Sequence, residues 1–382
     1  MGFLRLLGPA CFGMCLAGAT AAWTDAPTPD CPPGQTCTVE LPGAQCADGS
    51  PSYMRVTYRD GAKNLYIYLE GGGACWSTLT CGCRLNGTCH GGTARHLSRP
   101  PVADSVAGWR DPTDPTNPID ASYNLVEVPY CTGDAFTGNR IVNYGTARRP
   151  ILLRHFGYHD LTLALAETQR RFPMPDKVVF MGSSAGALGV TYNVDQVRHF
   201  YPDEPLYVIS DSGTPFMKPH VWKKHMASIL KTWGTDLTLP PELRSLGANA
   251  DFGDMLRYNA EKYPNHRFAL LSSYRDKLMT GFALLLGSSY PLRAVRRTII
   301  DAADHFFGPN QKAFYVAGLQ HVFTFLPPDS VQSRGVTLGD WTRAMLNDDP
   351  AWDSIRPDLY GEAEPESLDE PQTAASLDTA AQ

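Results

Sequence analysis

Ser184 is the residue around which chemistry can be built. It lies in Gly182-Ser183-Ser184-Ala185-Gly186, a Gly-x-Ser-x-Gly pattern. An apolar run over 177–181 precedes it and a helix-compatible stretch from 187 to about 199 follows. Strand, sharp turn and helix are the setting that turns this pattern into a nucleophile elbow, because the turn projects the hydroxyl away from the backbone. Gly182 and Gly186 remove the side chains that would block the turn or the approach of the helix. A serine hydroxyl is a poor nucleophile at neutral pH. It needs a base to take its proton and an acid to orient that base. In α/β-hydrolase sheets the chain order is serine, carboxylate, histidine, and Ser184, Asp276 and His321 follow that order.

His321 is the histidine that follows the last predicted strand. His220 and His225 fall in a helical stretch, His266 precedes a strand and His305 sits on a helix. His155 and His159 precede the nucleophile and suit pocket or structural roles. Asp211, at the end of the strand beside the elbow, is the second candidate for the acid; its alternative role is to cap its own Asp-Ser-Gly turn. A tetrahedral intermediate also needs N–H donors for its oxyanion. Ala185, directly after the nucleophile, supplies one, and the glycine loop Gly71-Gly72-Gly73 after an early strand supplies others, with Gly72 and Gly73 the candidates. No Gly-Lys-Ser/Thr follows the triple glycine, which disfavours a phosphate cradle.

The elements that must hold these groups alternate. Strands are expected over 53–59, 64–69, 123–128, 177–181, 206–210, 268–272 and 313–317. Helices are expected over 156–171, 187–199, 292–307 and 337–346, the last with Thr337 and Asp340 as a capping pair. Asp60-Gly61 reads as a hairpin-type turn, residues 77–120 as a long loop, and 217–262 as a helical insertion broken at Pro240-Pro241 and Gly247. Alternating strands and helices imply an α/β fold with a mainly parallel sheet covered on both faces, whose sites form at the carboxyl ends of the strands. Every motif above sits just after an expected strand.

The chain has 382 residues, 43% hydrophobic and 19% charged, ample for one large α/β domain. Its formal net charge of −6 equals the six acids of residues 361–382, a stretch with no Lys or Arg, so the rest is close to neutral. That balance offers no basic patch for nucleic acid. Residues 1–22 read as a secretory signal: Arg5, an apolar run over 6–16, and the small residues Ala19-Thr20-Ala21-Ala22 for cleavage. The apolar run is too short to span a membrane. Eight cysteines follow (Cys31, Cys37, Cys46, Cys75, Cys81, Cys83, Cys89, Cys131), an even number that implies disulfides in an oxidising compartment. Cys81-Gly82-Cys83 with Cys89-His90 lacks the Cys-x2-Cys spacing of a zinc site, so no metal is expected. The organisation expected is a signal peptide over 1–22, an irregular Pro/Cys-rich leading segment over 23–45, a catalytic domain over 46–358 and an acidic disordered tail over 359–382.

Four blocks together resemble the pectin acetylesterase and Notum family of secreted α/β-hydrolases: Cys46-Ala-Asp-Gly-Ser-Pro51; Leu69-Glu-Gly-Gly-Gly-Ala-Cys75; Pro129-Tyr-Cys-Thr-Gly-Asp134 with Phe136-Thr137-Gly138; and Gly182-Ser-Ser-Ala-Gly186. The likeness runs from about residue 46 to 326. It implies Ser184 as nucleophile, the Gly72, Gly73 and Ala185 amides as oxyanion hole and His321 as base. It also implies disulfides Cys46–Cys131 and Cys75–Cys81, which leaves Cys31–Cys37 and Cys83–Cys89. Tyr130, Asp134 and Asp211 become candidates for shaping the pocket. Two positions depart from the family pattern: Ala74 stands where an aromatic is usual, and Arg275 separates Tyr274 from Asp276. The implied function is a secreted or periplasmic, cofactor-independent serine esterase that deacetylates a polysaccharide. The alternatives are a lipid or polyester carboxylesterase with a longer acyl preference, and an inactive binding protein on the same fold.

Overall fold

The computed structural model describes residues 31–84, 86–101, 108–213, 221–305 and 307–357. The expected signal peptide, the first part of the leading segment and the acidic tail lie outside the described residues. The main sheet has eight strands: β1 (Thr36–Gln45), β2 (Pro51–Thr57), β3 (Asn64–Leu69), β4 (Tyr123–Val128), then, after the ribbon of β5 (Arg140–Asn143) and β6 (Leu152–His155), β7 (Val178–Ser183), β8 (Leu206–Asp211), β9 (Arg267–Ser273) and β10 (Gln311–Val316). Their order is β1-β2-β4-β3-β7-β8-β9-β10. The β1–β2 and β2–β4 pairs are antiparallel and the other main-sheet pairs are parallel. Within β3, Leu65, Ile67 and Leu69 enter one core while Tyr66 and Tyr68 enter the other. β7 does the same with Val178 and Phe180 against Val179 and Met181. A strand buried on both faces must be apolar throughout, which is why these segments read as runs rather than alternations.

Helices cover both faces. α1 (Gly157–Arg171) turns Leu161, Ala164, Leu165 and Thr168 inward at helical spacing. On its side lie α2 (Ala185–Tyr192), α3 (Val194–Phe200), α4 (Val221–Trp233), α5 (Phe252–Lys262), α6 (Lys277–Leu285) and α7 (Pro291–His305). On the other face α8 (Leu338–Leu346) packs Trp341, Met345 and Leu346 with Trp109 and Trp352. The short ribbon β11 (Gln332–Ser333) and β12 (Val336–Thr337) leads into α8, where Thr337 Oγ1 accepts the Asp340 N–H (3.0 Å). Among the described residues no helix is long and apolar enough to cross a membrane.

Three expectations are corrected. The leading segment is not irregular throughout, because residues 36–45 form β1, an edge strand antiparallel to β2 with a register shift between Glu40 and Gln45. The turn at Asp60-Gly61 does not close a hairpin: β4 inserts between β2 and β3, and parallel β3–β4 pairing takes the partner the hairpin would have used. The helix after the elbow is two helices, divided at Asn193, whose side chain donates to Phe136 O (3.0 Å) and Gly189 O (2.8 Å). Disulfides join Cys31–Cys37, Cys46–Cys131, Cys75–Cys81 and Cys83–Cys89. The second ties the end of β1 to the loop after β4. The last two staple the loop that continues from the triple glycine.

Candidate functional site

Ser184 sits between β7 and α2 with φ 52° and ψ −114°, a left-handed conformation that a non-glycine residue holds only when its surroundings enforce it. Its N–H donates to Asp211 O (2.8 Å). Gly186 lets α2 lie against the end of β3: a Cβ there would collide with the Leu69 carbonyl oxygen. Gly73 is constrained twice, by a positive φ of 70° and by the Thr93 carbonyl where its Cβ would stand. The glycine loop is thereby folded tightly against residues 93–94 beside the elbow. Glu70 anchors its start through Arg55 (2.7 Å), which also reaches Glu127 (3.2 Å).

His321 lies five residues beyond β10, with its Nδ1 2.7 Å from Asp276 Oδ2. The Asp276 carboxylate is fully buried. Its other oxygen accepts the Met279 N–H (2.9 Å), so it caps α6 and holds the imidazole at once. With Asp276 accepting from Nδ1–H, the imidazole lone pair is on Nε2. That atom is buried and has no hydrogen-bond partner among the described residues. The structure therefore brings Asp276, not Asp211, to His321. Arg275, which interrupts the family pattern, turns aside: its Nε donates to Ala317 O (3.1 Å).

Asp211 does something different. It is the last residue of β8, completely buried, and still in register with Ser183 and Leu271. Its Oδ2 accepts the Phe323 N–H (2.8 Å), the Thr324 N–H (2.8 Å) and the Thr324 hydroxyl; its Oδ1 accepts the Ser212 hydroxyl (3.0 Å). Ser212 Oγ in turn accepts the Val322 N–H (3.0 Å). Ser212 and Val322 both have positive φ, 61° and 65°. Asp211 and Ser212 thus clamp the loop that carries His321. Burial pushes the Asp211 pKa up, against the pull of its donors.

Tyr130 and Asp134 do not line the pocket at Ser184. Tyr130 is buried behind Gly72, and its OH accepts the Ala135 N–H (2.7 Å). Asp134 is buried and accepts from Thr132 Oγ1 (2.6 Å), Phe136 N (3.1 Å) and Gly157 N (2.8 Å), which makes it the anchor for the start of α1; burial raises its pKa to about 6. His155 is enclosed between Thr132 O and Tyr144 OH, each 2.8 Å away, and is structural. His266 accepts the Leu206 N–H (3.2 Å), His225 is exposed on α4, and His220 lies outside the described residues.

Ser184 opens into a cavity lined mainly by apolar side chains. Its walls are Leu188 of α2, Met226, Ile229 and Trp233 of α4, Met279 and Phe282 of α6, and Ala74 and Trp76 from the glycine loop. Trp76 and Phe282 are in ring contact (6.5 Å), and Trp233 Nε1 donates to Cys75 O (2.7 Å), which ties α4 to the stapled loop. Of these walls, sequence reasoning singled out only Ala74. The signal was present in Met226, Ile229, Leu230 and Trp233, an apolar stripe at helical spacing.

The pectinacetylesterase family model matches residues 36–239. The chain belongs to this family. Within the family it is similar to the Drosophila melanogaster palmitoleoyl-protein carboxylesterase Notum, 31% identical over 180 residues, covering 44% of this chain and 26% of that protein. It is also similar to the Arabidopsis thaliana pectin acetylesterase 7, 28% identical over 176 residues, covering 45% of this chain and 42% of that protein. The matched stretches thus span less than half of these relatives. The fold is that of the Drosophila Wnt deacylase Notum: a TM-score of 0.63 at 19% identity, covering 84% of this chain and 95% of that structure.

Proposed function

We propose that the chain is a serine carboxylesterase whose acyl pocket takes an apolar chain of medium length. The observation that carries this reading is the cavity at Ser184, walled by aliphatic, methionine and aromatic side chains. Ser184 Oγ attacks the ester carbonyl as His321 Nε2 takes its proton. His321 Nε2 has no hydrogen-bond partner among the described residues, so this reading requires the Ser184–His321 hydrogen bond to form as substrate binds, a tightening usual on going from the free enzyme to the complex. Asp276 keeps Nδ1 protonated and stabilises the imidazolium. The N–H groups of Gly72, Gly73 and Ala185 receive the oxyanion; one such donor contributes about 3 to 4 kcal/mol in comparable sites. The proton passes from His321 to the leaving alcohol, and water, deprotonated by the same imidazole, hydrolyses the acyl-enzyme. The four disulfides support a site of action in an oxidising compartment, outside the cell or in the periplasm.

Family relatives act in name on both palmitoleoyl-protein and pectin acetyl esters. Polysaccharide deacetylation, the first expectation from sequence, therefore stands as the second reading. It is favoured by the family match, while the pocket favours the longer acyl group. Esters of p-nitrophenol from acetate to octanoate separate the two. Each methylene buried is worth about 0.8 kcal/mol, or fourfold in kcat/KM, so octanoate is expected to exceed acetate by at least about a hundredfold. A maximum at acetate overturns the longer-acyl reading. Turnover and fluorophosphonate labelling that both persist in Ser184→Ala overturn the serine mechanism.

A further inference from the structure

A line of charged side chains joins the two loops that the mechanism uses. Arg55 of β2 and Glu127 of β4 face each other across the antiparallel ladder. Their chain neighbours Met54, Val56, Val126 and Val128 enter the core on the α1 side, so strand alternation turns Arg55 and Glu127 to the opposite face. Glu70 follows the last residue of β3, and Arg110 ends a short 3-10 turn over Gly108–Arg110. Arg55 Nη2 donates to Glu70 Oε1 (2.7 Å) and to Glu127 Oε1 (3.2 Å). Arg110 Nη1 donates to the same Glu127 oxygen (2.9 Å), and its guanidinium lies over the Phe325 ring, 5.5 Å from the centroid. Arg55, Glu127 and Arg110 are buried, and Glu70 is partly so. The two ends differ in function. Glu70 directly precedes the glycine loop with its oxyanion donors, whereas Phe325 lies four residues past His321. The segment that carries Arg110 is docked on the His321 loop as well: the Trp109 N–H donates to Thr324 O (3.0 Å), and a Cβ on Gly108 would collide with that oxygen.

We propose that Arg55, Glu127 and Arg110 are positioning residues: a buried ion-pair chain that holds the oxyanion donors and the imidazole at the separation the tetrahedral intermediate requires. The proposal rests on the serine-esterase reading above. Buried ion pairs add little net stability, because desolvation offsets most of their attraction. What they supply here is register. Arg55 meets two carboxylates and Glu127 meets two guanidinium groups, so neither inner charge can shift without stranding a partner. The chain acts through Glu70 on Gly72 and Gly73, and through Phe325 on His321. Asp211 fastens the His321 loop to β8, and the ion-pair chain fastens the same loop to the glycine loop. The intermediate needs both loops at once, one for its oxyanion and one for its proton.

The test is a double-mutant cycle on the two ends, Glu70→Gln and Arg110→Gln. It is read as kcat for p-nitrophenyl octanoate per active chain, counted by fluorophosphonate titration. Each single variant should lose about tenfold in kcat with KM within about twofold, because bound substrate meets misaligned donors and base. The double variant should lose little more, about tenfold to thirtyfold, since a chain broken at one end has little left to transmit from the other. Losses that multiply, to about a hundredfold, mean two independent loops and overturn the proposal. So does a kcat within about twofold of wild type in either folded single variant. Affinity for an octyl trifluoromethyl ketone, whose hemiketal on Ser184 places an oxyanion in the hole, should fall in step with kcat. An affinity unchanged in the folded variants leaves only a structural role and overturns the positioning. If Arg110→Gln does not fold, Arg55→Met combined with Glu70→Gln removes one charge of each sign and keeps the Glu127–Arg110 pair. It should lose kcat to the same extent, and undiminished kcat overturns the proposal. These outcomes overturn the ion-pair chain alone. Octanoate turnover that survives in Ser184→Ala overturns the serine-esterase reading and the chain with it.

Discussion

Two buried aspartates flank the His321 loop, and replacing each by asparagine should fail in opposite ways. Asp276→Asn keeps the α6 cap, because asparagine caps a helix N-terminus about as well as aspartate, and the Met279 N–H retains its acceptor. Stability should therefore change by less than about 1 kcal/mol. The imidazole, however, loses the carboxylate 2.7 Å from Nδ1 and with it the correct tautomer. Loss of that partner in a triad lowers kcat by about 10⁴. Asp211→Asn has no contact with the imidazole to lose. Its amide oxygen can replace Oδ2, still accepting from Phe323 N and from both Thr324 donors, but as neutral bonds. Three charge-assisted bonds each weakened by about 1 kcal/mol, offset in part by relief from burying a charge, leave a loss of about 1 to 3 kcal/mol. The His321 loop loosens, and kcat should fall about tenfold. Urea denaturation and octanoate-ester kinetics on both variants read the contrast. The reasoning is refuted if Asp211→Asn is the variant that loses three or more orders of magnitude in kcat while Asp276→Asn stays within tenfold of wild type.

Two further outcomes follow from the scaffold. Burial pushes the His155 pKa down to about 4, whereas an unfolded imidazole titrates near 6.5. The unfolded chain therefore takes this proton first. The stability from neutral His155 is fully present above about pH 6.5 and is lost as pH falls towards 4, up to about 3 kcal/mol. Asp134, raised to about 6, acts with the opposite sign between about pH 4 and 6. His155→Gln should accordingly shrink the loss of unfolding free energy between pH 7.5 and 4.5; an undiminished loss assigns the acid limb to other groups. Replacing Cys46 and Cys131 by serine opens a bridge across 85 residues. On a chain-entropy basis this should cost about 4 kcal/mol, measured by denaturant melting, and a change under 1 kcal/mol contradicts it.

The parts of the fold legible in the sequence were those whose signal is local. β3, β7 and β8 are apolar runs ended by glycine or aspartate, and α1 carries a clean helical stripe. β1 hid because Pro42 and Gly43 interrupt it, a composition tolerated at a sheet edge but read as loop. The false hairpin arose because the true partner of both strands, β4, is more than fifty residues away in sequence. The serine and histidine could be read from motif and strand-end position. The choice of acid could not, because β8 and β9 are neighbours and each has an aspartate at or just beyond its carboxyl end. What separates them is depth. Asp211 is still inside the ladder, where its oxygens meet loop amides, whereas Asp276 lies past the end of β9 on the α6 cap, level with the imidazole. The acyl walls come from four separated segments, so their convergence on Ser184 is visible only in the folded chain.

The most direct test of the account is the acyl-enzyme itself. Rapid mixing with p-nitrophenyl octanoate should release a burst of about one nitrophenolate per chain. Acid quenching and peptide mapping should place an octanoyl group on the peptide that contains Ser184, and both signals should vanish in Ser184→Ala. An octanoyl adduct on another residue, or octanoate hydrolysis undiminished in Ser184→Ala, would contradict it.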